Sequence, residues 1–491
     1  MHWTVNEVAG ALDVASPGGL DGLARVTGVS IDSRTMARGE LFVAIHGPRH
    51  DGHNFVLGAL ESGALAAIVA HDRLSEFPEA IRSKLFAVTD TLVALQELAQ
   101  AVRTRWGGRV AAVTGSAGKT TTKEILAALL AARFRILKSE GNLNNEYGLP
   151  LQLLRLEDSD QAAVVELGMS HAGEIGGLAK IARPDVAVVT RVAPVHLEFF
   201  SSVDDIALAK RELIEGLVGP KSVAVLNADD PRVARFAEAA PGRVITYGIA
   251  NYADFRAEKI DDRGVEGSTF DFVGPQDRAR LTLPLAGRHN ISNALAALAA
   301  ASVWGISAAD AQQVFPRLQP AGMRGRVLRF DAGFSVINDC YNSNPVALAA
   351  MIDLLVHTPV GGRRILAAGE MLELGPTSGE LHRQAGRAAA QTGKLDWIIG
   401  VQGDGENFVR GAIEAGQSPE RTQSFSSSGE AAEFIRGLLE RGDLLLVKGS
   451  RGVKMERIVE ALDQKFMRSN TESATPASPD PSQVTTARER G

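Results

Sequence analysis

The chain has 491 residues, 45% hydrophobic and 22% charged, with a formal net charge of −6. At roughly 100–200 residues per domain this length suggests about three domains, and the charge gives no electrostatic reason to expect nucleic acid or an anionic membrane as partner. The single cysteine, Cys340, excludes an intrachain disulfide and fits a reducing compartment. The first residues, MHWTVNEVAGALD, show no basic segment leading into a long apolar run. No stretch approaches the roughly 18 apolar residues of a membrane span. A cytoplasmic protein without membrane insertion is expected.

In chain order, LFVAIHG (41–47), AAIVA (66–70) and LFAVTD (85–90) read as strands of a first α/β region. Residues 91–105 read as an amphipathic helix with Leu92, Leu95, Leu98 and Val102 on one side. Trp106-Gly107-Gly108 marks a boundary. The second region opens with the buried strand RVAAVTG, and VVELG, VAVVT and SVAVLN follow as strands with helical stretches between them. That rhythm predicts a mostly parallel sheet covered by helices. Residues 287–305 form an Ala/Leu-rich helix, and Gln319-Pro320-Ala321-Gly322 reads as a second linker. RILAAGE, DWIIGVQG and DLLLVKGS repeat the rhythm, so the third region is expected to be Rossmann-like. The expected domains are 1–106, 107–320 and 321–468. The remainder, 469–491, holds one large aliphatic residue, Val484, and is expected to be disordered.

The sharpest motif is TGSAGKTTTKE (114–124), between a strand and an amphipathic helix. Strand, glycine loop, helix is the context of a phosphate cradle. It predicts nucleotide contacts from Thr114, Gly115, Ser116, Ala117, Gly118, Lys119, Thr120 and Thr121. The two glycines let backbone N–H groups face an anion, and the helix N-terminus adds a favourable dipole. Lys119 can reach the β/γ-phosphates and the Thr120 hydroxyl can hold Mg²⁺. The pattern departs from G-x-x-x-x-G-K-[ST] in having Val113 at its first position. A glycine turn that merely joins strand to helix is the plainer alternative, but it leaves the placing of Lys119 and Thr120 unexplained. The motif indicates nucleotide phosphate and leaves the reaction open.

Glu166 ends the strand AAVVE beside this loop, a usual place for a Mg²⁺ contact in an open α/β sheet. His196 lies with Glu198 in RVAPVHLEFF, leaving the sheet on the same edge. SSVDDIALAKRELIEGL reads as a helix with a capping box from Ser202 and Asp205. Lys210 falls on its apolar face, with Ile206, Leu213, Ile214 and Leu217. A lysine there can simply snorkel at the core edge. The sharper reading is a neutralised lysine, carbamylated by CO₂ into an anion able to hold Mg²⁺.

Over residues 20–465 the chain resembles the Mur ligase family of ATP-dependent amide ligases. That family shares TGxxGKT, a strand-end Glu, a loop His and a carbamylated Lys, matched by Gly115–Thr120, Glu166, His196 and Lys210. GNLNNEYGLPL (141–151), GRHNISNALAA, NDCYNSNP (338–345), GEMLELG (369–375) and LVKGSRG (446–452) resemble its MurF branch in particular. The resemblance implies a three-domain α/β fold: a small N-terminal UDP-binding domain, a central ATPase domain and a C-terminal Rossmann-like domain. It implies ATP contacts from His289, Asn290, Asn293, Arg326 and Asp339. It implies substrate contacts from Ser33, Arg34, Asn142, Asn145, Glu146, Tyr341, Asn342, Asn344 and Lys448. The implied cofactors are ATP, two Mg²⁺ ions and a CO₂-derived carbamate on Lys210. The implied reaction joins D-alanyl-D-alanine to UDP-N-acetylmuramoyl-tripeptide through an acyl phosphate, in a monomer. Cys340, Ser343, Ala117 and Glu370 stand where the branch more usually has other residues, and none removes a group the chemistry needs. Asp229-Asp230-Pro231-Arg232 imitates the amino-acid grip of MurE-type ligases but lies in the central region. A MurE-type or folylpolyglutamate synthetase-type ligase, or a nucleotide-binding regulator without ligase activity, are the rival readings.

Overall fold

The computed structural model describes residues 3–47 and 50–469; of the expected tail, 470–491 lies outside the described residues. Val29–Ser30, Leu41–Val43, Ala66–Ala70 and Leu85–Val88 pair in that order as a parallel sheet. The strand expected over 41–47 stops at Val43. Beyond it the chain folds back on itself, with Gly47 N–H donating to the His50 carbonyl and Gly52 N–H to that of Ile45.

The helix Thr91–Trp106 begins where the Asp90 carboxylate accepts from the Leu92 and Val93 N–H groups, and it ends at Gly107 with φ +66°. Both are the expected cap chemistry. Leu95, Leu98 and Val102 are buried as the periodicity requires, together with Ala94 and Ala99, while Leu92 sits at the half-buried edge. The buried Arg103 donates to the carbonyls of Ala182 and Arg183 at 2.8 and 3.0 Å, and Trp106 Nε1 donates to Asp160 O at 3.0 Å. One apolar core contains Leu41 and Phe86 of the first region and Val110, Val165 and Leu226 of the second. The boundary at Trp106-Gly107-Gly108 is therefore a turn of the chain over a continuous core.

The central sheet has nine strands. Ile136–Lys138, Ala162–Glu166, Arg109–Thr114, Val186–Val189, Val223–Asn227, Arg243–Gly248 and Phe255–Asp262 lie side by side and run parallel. Ser268–Val273 and Arg278–Leu283 extend that edge antiparallel. The inner strands read VAAV, AAVV and VAVV because helices cover both faces. The helices Lys119–Ala131 and His289–Ser302 share one apolar core on one of those faces, the second through its run of alanines.

The third sheet orders Arg326–Arg329, Ser335–Asp339, Leu444–Lys448, Arg364–Gly369, Trp397–Val401 and Thr422–Phe425. Only the first of these strands is antiparallel to its neighbour, as expected of a Rossmann-like unit. Among the described residues no helix is long and apolar enough to cross a membrane. Leu446 is fully buried between Ile337 and Leu366 in the middle of this sheet. Leu446→Ala should cost about 2–5 kcal/mol, measured as a lower urea midpoint by circular dichroism; an unchanged midpoint would contradict this packing.

Candidate active site

Parallel register decides which side chains meet. Val113 pairs with Glu166, and Thr114 pairs with Val189. The loops after all three strands thus leave the sheet at one edge, where open α/β sheets bind ligands. A cleft of about 940 Å³ opens there and is lined from all three regions, by Gln96, by the phosphate loop and strand ends, and by Asp339, Tyr341 and Lys448.

The loop needs its glycines. Gly115 has φ +146°, and a Cβ there would lie 1.9 Å from Thr190 Oγ1. Thr190 Oγ1 donates to the carbonyls of Ala117 and Thr114, so it ties the loop to the neighbouring strand. Gly118 has φ +90°, and a Cβ would meet Asn293 Oδ1 at 2.4 Å. Ser116, Ala117, Gly118, Lys119, Thr120 and Thr121 line the cleft, but Thr114 and Gly115 do not. Thr114 is buried with its hydroxyl on the Leu167 carbonyl at 2.9 Å, so these two residues shape the loop from beneath. Lys119 Nζ folds back onto the Gly115 carbonyl at 2.6 Å. Burial pushes its ammonium pKa down, and the Glu166 charge opposes that shift.

Thr120 Oγ1 donates to Glu166 Oε2 at 2.7 Å, and Asn144 Nδ2 donates to Glu166 Oε1 at 2.9 Å. A hydroxyl and a carboxylate so placed beside a phosphate loop are hard oxygen donors that fit Mg²⁺. Asn144 was legible only as a neighbour of Asn142 and Asn145, and its bond to Glu166 spans two loops.

Lys210 is 2% exposed, and its ammonium has no hydrogen bond or ion pair among the described residues. Burial, with the Lys119 charge adding to it, pushes its pKa well below the ordinary lysine range. Ile206, Leu213, Ile214 and Leu217 are buried around it as expected. The helix Val203–Glu215 starts at Ser202, whose Oγ accepts from Asp205 N–H. The Asp205 carboxylate takes the Ser202 hydroxyl at 2.9 Å, in place of the backbone bond of a full capping box. His196 also lines the cleft, with φ +55°. Its Nδ1 lies 2.5 Å from Glu373 Oε2, off the ring N–H direction, so the two groups touch without an aligned hydrogen bond. The contact with His196 holds the Glu373 carboxyl below its usual range. Among the described residues no group of three His, Cys, Asp or Glu side chains gathers to hold a metal. The donors converging here are instead mixed: hydroxyl, carboxylate, imidazole and amine.

His289, Asn290 and Asn293 line the cleft from the start of their helix. Asn293 Nδ2 donates to Asn290 Oδ1, and Asn290 Nδ2 to the Ala286 carbonyl. Burial lowers the His289 imidazole pKa. Across the cleft Lys448 Nζ donates to Asp339 Oδ2 at 2.5 Å and to the Asn342 carbonyl at 2.8 Å. Asn344 Oδ1 caps the helix Pro345–His357, and its Nδ2 reaches the Ser116 carbonyl at 3.5 Å. Asn142, Asn145 and Glu146 line the first-region side.

Arg326 is exposed on its strand, outside the cleft lining. Arg324 lines the cleft instead, with its guanidinium 4.0 Å from the Tyr341 ring centroid. Gly325, at φ +70°, turns the chain between the two arginines. Ser33 and Arg34 also lie outside the lining; Arg34 pairs with Asp32 at 2.7 Å on the surface of the first region. Asp230 caps the helix Pro231–Ala234, and Asp229 accepts from the N–H groups of Ile249, Ala250 and Asn251. The D-D-P-R segment is therefore structural. His171 and Glu174 are lining residues outside every motif read from the sequence, while Arg191 and Glu373 lie within RVAPVHLEFF and GEMLELG without having been picked out.

A phosphate loop, a carboxylate at the next strand end and a third domain closing the cleft define an ATP-dependent ligase of the Mur type. Family models describe the same regions: "Mur ligase family, catalytic domain" matches 25–103, "Mur ligase middle domain" 113–301, and "Mur ligase, glutamate ligase domain" 323–451. The UDP-N-acetylmuramoyl-tripeptide--D-alanyl-D-alanine ligase of Bacillus subtilis is 35% identical, over 89% of this chain and 93% of the relative. The Escherichia coli ligase of that name is 34% identical over 89% and 93%. A crystal structure of MurF from Acinetobacter baumannii superposes with a TM-score of 0.85 at 31% identity, covering 95% of this chain and 99% of that one. MurF of Thermotoga maritima in complex with ADP gives 0.78 at 28% identity, covering 89% and 97%. The chain belongs to the Mur ligase family. Within that family its likeness is to the MurF type. Folylpolyglutamate synthase of Mycobacterium tuberculosis, at 17% identity and a TM-score of 0.62 over 75% of this chain and 94% of that one, shares the fold alone.

If Arg324 serves the cleft and Arg326 does not, Arg324→Ala should lower the ligase rate by about tenfold or more, the scale of losing one charge-stabilising group. Arg326→Ala should stay within about twofold. Steady-state phosphate release compares the two, and the reverse ranking would restore Arg326.

Proposed function

We propose that this cleft joins D-alanyl-D-alanine to UDP-N-acetylmuramoyl-tripeptide at the expense of ATP, completing the UDP-linked pentapeptide precursor of peptidoglycan and releasing ADP and phosphate. The observation that carries this reading is the meeting of Lys119, Glu166, His196 and the partnerless Lys210 on one cleft wall, opposite Asp339 and Lys448 of the third region. The three units are taken as 1–106, 107–320 and 321–468, with the UDP end on the first, ATP on the second and the dipeptide brought by the third.

A carboxylate is a poor electrophile at neutral pH. An oxygen of the tripeptide's terminal carboxylate attacks the γ-phosphorus, the bond to ADP breaks, and an acyl phosphate forms. The dipeptide amine then attacks the acyl carbon, loses a proton, and phosphate leaves. Lys119 leaves the Gly115 carbonyl to meet the phosphates and neutralise charge on the transferred group. Thr120 and Glu166 would hold one Mg²⁺, and His196 with a carbamylated Lys210 a second. When bound, the cation screens phosphoryl charge and draws the carboxylate into line. Lys210 suits carbamylation because its amine is buried, partnerless and of lowered pKa, hence a nucleophile toward CO₂. His289, Asn290 and Asn293 hold the adenine side, with Asp339 at the ribose once Lys448 yields it. Arg324 takes the cross-domain phosphate role first expected of Arg326. Closure of the third domain keeps water from the acyl phosphate. A cytoplasmic monomer fits the lone cysteine and small-molecule substrates.

The test is phosphate release from ATP with Mg²⁺ and bicarbonate. It should require both the UDP-linked tripeptide and D-Ala-D-Ala, with a product heavier by the dipeptide. Release independent of the dipeptide points to another acceptor. Lys210→Ala should lose about 100-fold or more in rate and recover part of it with a small carboxylate; undiminished activity in that variant removes the carbamate from the mechanism.

A further inference from the structure

The loop after the strand Arg364–Gly369 is pinned from several sides. Met371 N–H donates to the buried His382 Nε2 at 2.8 Å, and Leu372 N–H donates to Ser450 Oγ at 2.9 Å. Ser450 N–H donates in turn to the Glu370 carbonyl, and Asp404 N–H to the Glu370 carboxylate. This rigid loop presents Glu373 to the central domain. There the Glu373 carbonyl accepts from Glu198 N–H at 3.3 Å, and Glu373 Oε2 meets His196 Nδ1 at 2.5 Å. A Cβ on Gly375 would stand 3.0 Å from the Leu197 carbonyl, so the loops are in close contact. Glu373 and His196 both hold left-handed backbones, φ +64° and +55°. Non-glycine residues in that region persist only where surroundings over-determine them, and they cluster at functional sites. Here two of them face each other across a domain boundary.

We infer that Glu373 is a positioning residue of the third domain that sets the His196 ring for its cation and so makes cation binding and domain closure a single linked equilibrium. A ligating imidazole ordinarily has its other nitrogen held by a carboxylate or carbonyl, which fixes tautomer and ring direction. Glu373 stands beside Nδ1 and leaves Nε2 for the cation, and a small turn of the ring aligns the Nδ1–H with the carboxylate. Because the carboxylate arrives with the third domain, closure tightens the cation and the cation favours closure by the same factor. The inference rests on the proposed cation role of His196.

The test uses the full chain with ADP and Mn²⁺ as probe, read by paramagnetic resonance titration and solution scattering. The parent should compact on adding Mn²⁺; Glu373→Ala should bind Mn²⁺ about tenfold more weakly, the lower end of what such a carboxylate contributes, and should lose that compaction. Glu373→Gln keeps an acceptor and should recover part of both, which also preserves the test if the alanine variant folds poorly. Parent-like Mn²⁺ affinity in Glu373→Ala overturns the inference. So does weaker binding with compaction intact, or an effect confined to the KM of the dipeptide. No readout of cation or shape needs tripeptide or dipeptide, so a different acceptor substrate would sink the proposed reaction and leave this result standing.

Discussion

Val113 opposite Glu166 and Thr114 opposite Val189 are the pairings on which the site depends. They place the phosphate loop, the Glu166 carboxylate and the Thr190–Arg191 turn on one edge of the sheet. A slip of one residue would swing Glu166 to the opposite face of the sheet and bring an apolar neighbour to its place, because side chains alternate along a strand. Burial on both faces enforces the register: Val110, Ala111, Ala112 and Val113 are all fully buried. The chemistry therefore inherits its precision from packing rather than from the polar groups themselves.

Those polar groups satisfy one another while no ligand competes. Lys119 holds a loop carbonyl, Thr120 holds Glu166, and Lys448 holds Asp339. Each of these bonds is one that a nucleotide or cation would exchange for its own, so the cleft stays satisfied at little cost. Lys210 breaks that pattern. A buried ammonium without a partner is costly, and that cost lowers its pKa well below the ordinary lysine range. An amine so buried that also lines a ligand cleft is placed for a covalent change of charge, as the proposed carbamate supplies.

The two domain junctions differ in kind. The first and central regions share an apolar core and the buried Arg103, which caps a central helix from the first region's last helix. The third region meets the central one through polar contacts, among them Arg329 with Glu266, Asn344 with Ser116, and Glu373 with Glu198 and His196, and through a small apolar contact in which Ala286 and Val265 join its core. Apolar cores resist sliding, while sparse polar contacts can be remade in water. The proposed closure accordingly falls to the third domain, the one that carries Arg324, Asp339 and Glu373.

Much of this was legible in the sequence because it depends on short-range order. The strand–loop–helix around Lys119, the parallel rhythm of the inner strands, and Lys210 on the apolar face of a capped helix all follow from periods of two and 3.6 and from turn chemistry. The antiparallel strands Ser268–Val273 and Arg278–Leu283 were not anticipated, since they extend a sheet edge by pairing that no neighbouring motif announces. Arg324 lines the cleft and Arg326 does not, with one left-handed glycine between them turning the chain. Thr114 and Gly115 proved to be supports beneath the loop, Asn144 the partner of Glu166, and Glu373 the neighbour of His196. The sequence alone determined which groups exist and which faces they occupy. Only the tertiary structure decided which of them meet, because those contacts join distant segments whose approach is set by sheet register and domain docking.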